Sequence, residues 1–535
     1  MSNVFYNSLI KIYSTCAPKF NIKYSFFNVF NLYIRGVSFL IVFILANNSI
    51  LSGVDKMKES SAKMALLNKR VKKDLDYINY PPRDWLTPRT TKKGQHIYDV
   101  IIIGAGQTGL TVSLALRREQ INNVLIVDDS KKNYQGSWLN FGKMKYLRTP
   151  KHTIGPDNDI PSLTVRSWFE AKFSEKAWND LDYIPRIEWQ NYLNWFRDVL
   201  NISVQYEHKA GAIEWDNDNQ CYKIPILHRG MKKVHYARKI VLALGLQGSG
   251  EWMIPAFVKK NVDKSKYSQA VENVDKDKIK GKKVAILGAG PCAFDMTLDL
   301  NSKGAESITM FSKRANLVNL HCFKWGEYVG FMKSFPHLKD KDKLKFISRM
   351  HEMGQPPVPE RVVEVFKLTN FKIKYSSPWE DAQQVGDKIV ITTASGDTEE
   401  FDYLIIGTGW IADLGLRIEL KNLIHDIALW KNKYTFDNDK NSRSLGMFPY
   451  LGKGFQFTPT DNSKAFYLNS LFNFTGGGLL SNGFCAGTGL TGIKYSVKIF
   501  IDEIVKQFFL EDKEQYYKSL DEYNNKDFIL NETGV

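Results

Sequence analysis

Two glycine-rich loops occur in the chain, and each lies where an apolar run gives way to a helix-like stretch. Loop 104–109 follows Val-Ile-Ile-Ile, and loop 288–293 follows Val-Ala-Ile-Leu. In this setting glycines let the backbone approach a pyrophosphate, which the helix N-terminus attracts. Two such loops therefore predict two dinucleotide-binding units. The glycines expected to contact the nucleotides are Gly104, Gly106 and Gly109 in the first loop and Gly288 and Gly290 in the second.

The residue at one fixed distance beyond each loop differs between the two copies. It is Asp128 after the first loop and Ser312, followed by Lys313 and Arg314, after the second. A carboxylate accepts hydrogen bonds from free ribose hydroxyls, whereas a small polar residue beside two cations suits a 2′-phosphate. We therefore predict an unmodified dinucleotide at the first loop and NADPH at the second. The alternative interpretation of 312–314 is an ordinary solvated basic turn.

Composition narrows the range of partners. The 535 residues carry a formal net charge of +16, but the lysines are interleaved with acidic residues, as in 339–343. That pattern is typical of a solvated surface and accompanies no nucleic-acid motif, so we predict no nucleic-acid partner. Five dispersed cysteines without a C-x-x-C favour a reducing compartment and argue against a thiol–disulfide centre. The nine histidines show no metal-ligand spacing, so no metal is predicted.

Residues 1–60 form a basic and apolar N-terminal extension. No acidic residue precedes Asp55, and 37–46 is an apolar run that is too short to span a bilayer comfortably. The extension is compatible with a signal-like segment, an interfacial membrane anchor or an upstream start codon. We expect a cytoplasmic protein, and peripheral membrane contact through this extension is left open.

Short strand-like segments follow each loop and lead into a strand that ends in glycine. This repetition predicts an α/β protein with two Rossmann-like dinucleotide-binding domains, one inserted into the other and each with a β-meander. The segments are 202–206, 212–215, 221–226, 234–236 and 239–245 after the first loop, and 372–375, 388–392, a turn at 395–397, and 402–410 after the second.

Five motifs in this order resemble those of the class B flavin monooxygenases, which include flavin-containing, N-hydroxylating and Baeyer–Villiger types. The resemblance covers roughly residues 95 to 510 and implies FAD at the first loop and NADPH at the second. It also implies that the NADPH domain is inserted into the FAD domain. The matching segments are 104–109, Gln-Gly-Ser-Trp at 135–138, Tyr-Leu-Arg-Thr-Pro-Lys-His at 146–152, 288–295 and 402–410.

Further site residues and boundaries follow from the same resemblance. We call Gly136, Ser137 and Trp138 the flavin turn. They resemble a turn that places backbone amides and an aromatic wall near the flavin. The alternative interpretation is a plain turn with a core tryptophan. Gly487 and Gly489 would open a helix toward the pyrimidine end of the flavin. The expected domains are the extension 1–60, the FAD domain 95–255 and 400–510, the NADPH domain 265–399 and a C-terminal tail 511–535.

The implied activity is insertion of one oxygen atom of O2 into a small nucleophilic organic substrate, through a C4a-(hydro)peroxyflavin. The Baeyer–Villiger fingerprint F-x-G-x-x-x-H-x-x-x-W is degenerate here, because 257–267 lacks both its histidine and its tryptophan. This departure favours a nitrogen or sulfur centre over a ketone. Two alternatives stay open: an NADPH-dependent flavin reductase or oxidase without oxygen transfer, and a cofactor-binding protein without turnover.

Three polar residues are predicted to act at the reacting centre. Arg148 and His152 belong to the segment after the flavin turn, and Asn473 lies near the closing part of the FAD domain. His321 is a weaker candidate. Such chemistry needs hydrogen-bond donors and a site that excludes water. Each residue also has a structural interpretation, as a guanidinium on a carbonyl or a packed neutral ring.

Overall fold

The computed structural model describes residues 57–152, 155–436, 444–486 and 489–528. The chain divides into two compact units, Met1–Leu66 and Leu67–Val535. Residues 57–77 are helical, and the extension predicted over 1–60 falls outside the described residues up to position 56. Among the helices that are described, none has both the length and the apolar character of a membrane span. The fold and the candidate site belong to the second unit.

The strands of the described residues form a large mixed sheet, a five-stranded parallel sheet, a three-stranded meander and a two-stranded ribbon. In chain order they are β1 (Arg89–Thr90), β2 (His96–Ile103), β3 (Val124–Val127), β4 (Lys209–Ala210), β5 (Glu214–Asp216), β6 (Cys221–His228), β7 (Met231–Gly245), β8 (Gly250–Trp252), β9 (Tyr267–Gln269), β10 (Lys283–Leu287), β11 (Ser307–Phe311), β12 (Phe371–Lys374), β13 (Trp379–Val385), β14 (Lys388–Thr393), β15 (Thr398–Phe401), β16 (Tyr403–Ile406), β17 (Trp410–Ala412) and β18 (Leu471–Thr475).

Helices follow the glycine loops and fill the long connections between strands. Beyond the helical residues 57–77 they are α1 (Gln107–Arg118), α2 (Val165–Lys172), α3 (Glu175–Asn179), α4 (Arg186–Val199), α5 (Ala256–Asn261), α6 (Pro291–Ser302), α7 (Cys322–Trp325), α8 (Val329–Ser334), α9 (Asp340–Met353), α10 (Pro359–Phe366), α11 (Trp430–Lys433), α12 (Ala465–Leu468), α13 (Leu479–Asn482) and α14 (Leu490–Asp521).

The first sheet contains the first glycine loop at the end of β2. Its parallel part runs β3–β2–β7–β18, and β6 pairs antiparallel with the amino-terminal half of β7. Val100, Ile101 and Ile102 of β2 are fully buried. Strands covered on both faces read as continuous apolar runs, which is the pattern of β2. Helices α1 and α14 cover one face of this sheet, and apolar residues between 414 and 468 pack together with β6 on the other face.

Two expectations about this sheet were wrong in detail. The segments predicted at 234–236 and 239–245 form one long strand, β7, because both parts keep an extended conformation while their partners change. Residues 202–206 form no strand, and Gln205 makes only an isolated parallel bridge with Val127.

The second sheet is five-stranded and parallel, in the order β12–β11–β10–β16–β9, and holds the second glycine loop after β10. Strands β13, β14 and β15 form the predicted meander, with its turn at 395–397. The segment at 372–375 was wrongly predicted to belong to this meander, since β12 pairs parallel with β11. Strand β16 pairs with β10, so the chain leaves this sheet after residue 406, later than the predicted boundary at 399/400.

The chain crosses between the two sheets at β8 and again at β17. These strands pair antiparallel, with Trp252 opposite Trp410, and form a two-stranded ribbon. A Cβ atom at Gly250 would overlap the carbonyl oxygen of Ile411, so a glycine is required at this close approach. The architecture is therefore an α/β fold in which the second domain is inserted into the first.

Helix α14 continues to Asp521, into the segment that was expected to be a tail from 511. Its last turns are tied to β7 by a buried ion network. The guanidinium of Arg238 lies 3.0 Å from both Asp512 Oδ2 and Glu511 Oε2, and Lys239 pairs with Glu511. Arg238 and Asp512 are almost completely buried. Removing one partner of such a pair leaves an uncompensated buried charge.

We predict that Asp512→Ala lowers the free energy of unfolding by about 3–5 kcal/mol, because Arg238 would lose a buried carboxylate. Urea denaturation measures the change. The matched control is Glu522→Ala in the same terminal region, whose exposed pair with Lys518 should contribute less than about 0.5 kcal/mol. Equal small losses in both variants would contradict the role assigned to the network.

Candidate functional site

The first glycine loop is shaped by steric contacts that only glycine permits. Gly104 has a φ of +104°, and a Cβ atom there would overlap the carbonyl oxygen of Ala243. A Cβ atom at Gly109 would overlap the carbonyl oxygen of Gly104. Gly106 is the N-cap of α1 and offers no capping side chain, and the first turn holds no acidic residue. The first amides of α1 are thus oriented for an anion such as a pyrophosphate.

Asp128 directly follows β3 and lies beside this loop. Its Oδ2 accepts a hydrogen bond from the Ala105 backbone amide at 2.7 Å, and its Oδ1 accepts one from the Ser130 amide at 2.9 Å. The carboxylate is largely buried. Each carboxylate oxygen has a second acceptor position, so the group can still receive ribose hydroxyls.

The turn at Gly136, Ser137 and Trp138 faces the first loop. A Cβ atom at Gly106 would lie 3.4 Å from the Gly136 Cα atom, and Gly136 itself has a φ of +78°. Asn140 Nδ2 donates to the Gly136 carbonyl at 2.8 Å and closes the turn. The Trp138 ring meets the ring of Trp189 edge to face at 6.2 Å. The turn therefore packs directly against the first glycine loop.

The second glycine loop repeats the geometry of the first. Gly288 has a φ of +103°, and a Cβ atom there would overlap the carbonyl oxygen of Gly407. Gly290 is the N-cap of α6, and no atom within 4 Å would oppose a Cβ atom at this position. Pro291 occupies the first helical position, where a missing amide costs nothing. We call each glycine loop, together with the first amides of the helix that follows it, a glycine cradle. Both cradles fit the phosphates of a dinucleotide.

The three residues predicted to hold a 2′-phosphate have different surroundings. Ser312 is buried, and its hydroxyl accepts a hydrogen bond from the Arg314 amide at 3.1 Å. The Arg314 guanidinium donates to the Glu352 carbonyl at 2.8 Å, at the end of α9. Lys313 is exposed. The lysine is thus the better candidate for a phosphate contact, while the arginine supports the helix end.

The three residues predicted at the reacting centre do not come together. Arg148 donates to the Pro356 carbonyl, which places it at the boundary between the two domains. His152 is exposed on a turn, with its ring edge to face against Trp178 at 6.4 Å. Asn473 is completely buried in β18, where its Oδ1 accepts a hydrogen bond from Thr475 at 2.9 Å. Of the three, only Arg148 lies at the boundary between the glycine-loop domains.

Arg148 belongs to a cluster that includes two more arginines and one carboxylate. We call this the cleft cluster. The carboxylate is Asp295, on the helix α6 that follows the second loop. Arg361 Nε, on α10, lies 3.1 Å from Asp295 Oδ1. Burial raises the pKa of Asp295, and Arg361, Arg148 and Arg186 oppose that shift. The cleft cluster consists of Arg148, Arg186, Asp295, His321 and Arg361.

His321 belongs to the cleft cluster because the charge of Arg148 acts on its imidazole. Burial, together with the charges of Arg148 and Lys324, lowers the pKa of His321 to about 4. Its Nδ1 accepts a hydrogen bond from the Lys324 amide at 3.2 Å. The imidazole is therefore neutral near neutral pH, and its Nε2 carries the proton and can donate. Sequence reasoning gave no role to Arg186, Asp295 or Arg361, although Asp295 lies inside the second loop motif.

Two of the predicted glycines, Gly487 and Gly489, lie near the carboxyl end of the chain. Gly489 is the N-cap of α14 and provides no capping side chain, so the first amides of this helix are available. Gly487 falls outside the described residues. In the described part of the chain, no group of three or more His, Cys, Asp or Glu side chains is placed to hold a metal ion.

Comparison with known proteins identifies the family. The chain is 32% identical over 466 residues to the FAD-dependent urate hydroxylase of Xanthomonas campestris pv. campestris, covering 87% of this chain and 97% of that protein. The chain belongs to the FAD-dependent hydroxylases, a branch of the class B flavin monooxygenases. The family model for L-lysine 6-monooxygenase/L-ornithine 5-monooxygenase matches residues 170–368.

Solved structures agree with this fold. An ornithine hydroxylase from Pseudomonas aeruginosa has a TM-score of 0.59 at 15% identity and covers 77% of this chain and 99% of its own. An FAD-bound cadaverine monooxygenase from Erwinia amylovora has a TM-score of 0.58 at 14% identity, with 77% and 95% covered. The monooxygenase is thus an oxidoreductase that depends on FAD and NADPH. The two glycine cradles fit these cofactors.

We propose that Asp128 holds the ribose of FAD, and we predict that Asp128→Ala weakens FAD binding by about 1–3 kcal/mol through the loss of buried hydrogen bonds. Titration of the FAD-free protein with FAD measures the change. Asp218→Ala, at an exposed surface pair, is the control and should bind FAD as the unaltered protein does. Unchanged FAD affinity in Asp128→Ala would refute the assignment.

We propose that Lys313 contacts the 2′-phosphate of NADPH. Lys313→Ala should then raise the KM for NADPH about tenfold or more, from the loss of about 1.5–3 kcal/mol in a charge-assisted hydrogen bond. The KM for NADH should not change, since that nucleotide carries no 2′-phosphate. Arg314→Ala is the comparison variant and should mainly lower the melting temperature, because it frees the end of α9. Equal effects of Lys313→Ala on both nucleotides would contradict the contact.

Proposed function

We propose that this monooxygenase hydroxylates a planar, anionic nitrogen heterocycle of the urate type. The observation that carries the proposal is the relationship to the urate hydroxylase, which extends over 97% of that protein. The match to the lysine and ornithine oxygenase model is confined to residues 170–368. Urate is a flat purine that carries a negative charge at neutral pH, so its site should provide cations and donors.

The charge of the cleft cluster supports an anionic substrate. It contains three guanidinium groups and one carboxylate, that of Asp295. Arg361 also pairs with the more exposed Glu364 at 2.6 Å. An excess of positive charge in a partly enclosed site attracts an anion and opposes an ammonium ion. Among the described residues, Arg148 and Arg186 form no ion pair within 4 Å, and Arg148 donates to one carbonyl whereas Arg186 donates to two. The charge of Arg148 therefore has the fewest polar contacts of the three guanidinium groups.

Arg148 and the neutral His321 have complementary roles in this proposal. Burial lowers the pKa of the Arg148 guanidinium, which nevertheless stays charged near neutral pH. A poorly hydrated guanidinium gains more from a bound anion than an exposed one does. The Nε2–H of His321 can donate to a carbonyl oxygen of the same substrate. Together the two side chains would orient the substrate ring, with Arg148 supplying the positive charge and the neutral His321 supplying a hydrogen bond.

The aromatic residues between the domains can exclude water from this region. The ring centroids of Phe323 and Phe484 are 4.8 Å apart, and those of Phe331 and Phe484 are 5.5 Å apart. Phe323 and Phe331 come from the helices after the second sheet's β11, whereas Phe484 precedes α14. When FAD is bound it supplies the oxygen chemistry, and the protein binds, orients and shields the reactants.

A second candidate function is N-hydroxylation of a primary amine. The family-model match over 170–368 favours it, as that model describes lysine and ornithine monooxygenases. An L-ornithine N(5)-oxygenase of Arthrobotrys oligospora is 23% identical over 239 residues, which is 49% of its length. The cation-rich cleft would disfavour the protonated amine, so this candidate requires the neutral form to bind.

A substrate comparison separates the two candidates. The FAD-loaded enzyme is mixed with NADPH and either urate, xanthine, L-ornithine, L-lysine or cadaverine, and NADPH oxidation, oxidised product and hydrogen peroxide are measured together. We expect a purine to accelerate NADPH oxidation and to give an oxidised product with little peroxide. Coupled hydroxylation of an amine, with no product from either purine, would refute the urate-type proposal in favour of the second candidate.

We predict that Arg148→Met raises the KM for the anionic substrate by about 10- to 100-fold, equivalent to the roughly 1.5–3 kcal/mol of a hydrogen bond to a charged group. Bound FAD should not change, because Arg148 contacts neither the first loop nor Asp128 in the described structure. Lys145→Met, an exposed neighbour on the same segment, is the matched control and should leave this KM unaltered. Equal KM values in Arg148→Met and the parent enzyme would exclude the contact.

A further inference from the structure

Arg186 connects the flavin turn to the segment that follows it. It is the first residue of α4, and its guanidinium donates to the Trp138 carbonyl and, at 2.8 Å, to the Met144 carbonyl. Its backbone amide donates to the Lys145 carbonyl at 3.1 Å. One side chain therefore holds the chain at two points, Trp138 and Met144. We call residues 138–148 the strap.

The strap lies against the helix that starts at the second glycine loop. Lys143 Nζ is 3.4 Å from Asp299 Oδ2 on α6, and Arg148 reaches the Pro356 carbonyl just before α10. Asp295 stands one helical turn before Asp299 on α6 and pairs with Arg361 of α10. Positions four residues apart share one face of a helix, so α6 presents two carboxylates toward the basic strap.

Electrostatic coupling reaches from α6 to Arg186. Burial lowers the pKa of the Arg186 guanidinium, and the Asp295 carboxylate opposes that shift. Arg186 in turn opposes the rise in the pKa of Asp295 that burial causes. Asp295 and Arg186 thus stabilise each other's charged form. Asp295 lies on the helix after the NADPH cradle, and Arg186 holds the flavin turn.

We infer that Arg186 is a positioning residue that couples the NADPH cradle to the flavin turn. The inference rests on the use of FAD and NADPH and is independent of which substrate is oxidised. Nucleotide bound at the second loop fixes the start of α6, and with it Asp299, whose carboxylate pairs with Lys143 of the strap. Arg186 holds the strap in turn, because it donates to the Trp138 and Met144 carbonyls and so sets the side of the flavin groove. Arg186 contacts the flavin turn directly and reaches α6 through the strap.

The test compares Arg186→Met, Arg186→Lys and Asp299→Asn in the FAD-loaded enzyme. We expect Arg186→Met to keep its FAD and its half-saturating NADPH concentration, while the limiting rate of anaerobic FAD reduction falls about tenfold or more, since a small misplacement of reacting groups costs rate. Arg186→Lys should regain part of the rate, because lysine keeps the charge and can donate to one carbonyl. Addition of NADP+ should perturb the absorbance of bound FAD in the parent enzyme and much less in Arg186→Met.

Double substitution distinguishes coupling from two separate effects. If Asp299 acts through the strap and Arg186, Asp299→Asn lowers the reduction rate in the parent enzyme and lowers it no further in Arg186→Met. Independent losses that multiply would overturn the inference. A parallel fall in FAD content and melting temperature in both Arg186 variants would overturn it too, as it would indicate a purely structural role. Arg166→Met removes an exposed arginine that pairs with Glu170 and is the control that should change none of these values.

Discussion

The close approach of a backbone carbonyl to the first glycine of each loop is the constraint on which the rest of the structure depends. In both domains the central strand turns into a helix at a point where the neighbouring parallel strand leaves no room for a Cβ atom, at Gly104 beside Ala243 and at Gly288 beside Gly407. The matching positive φ values direct both helix N-termini toward the grooves. Two nucleotide sites thus arise from one repeated steric arrangement, and the remaining segments fill the space between them.

The parts of this architecture that depend on short-range pattern could be predicted from the sequence. The glycine loops directly follow the buried strands that precede them, and Asp128 ends the next apolar run, 24 positions after Gly104. The cleft cluster could not be predicted in the same way. Arg148 meets Pro356 only when the two domains come together, and Asp295 meets Arg361 only when α6 packs against α10 within the second domain. The role of Asn473 at the reacting centre stays a prediction: the pairing of β18 encloses its side chain beside Thr475, and its buried Nδ2 has no hydrogen-bond partner among the described residues.

Charge and hydropathy also gave misleading boundaries where tertiary contacts override them. The charged end of α14 has the composition of a solvated tail, yet Asp512 is buried against Arg238 and keeps the helix on β7. Likewise, β16 follows the meander so closely that it was assigned to the other domain, although its backbone lies beside β10 in the second sheet. In both cases a long-range pairing, which leaves no local periodic pattern, decides where the element belongs.

The ribbon of β8 and β17 limits how the two domains can move. Both passages of the chain between the sheets run through these strands, which are hydrogen-bonded to each other and in tight contact at Gly250. Two independent linkers would let one domain twist and slide against the other, whereas a paired ribbon bends chiefly about one axis. Opening for nucleotide exchange and closing for chemistry would therefore retrace a single path, and the register of FAD against NADPH would be recovered in every catalytic cycle.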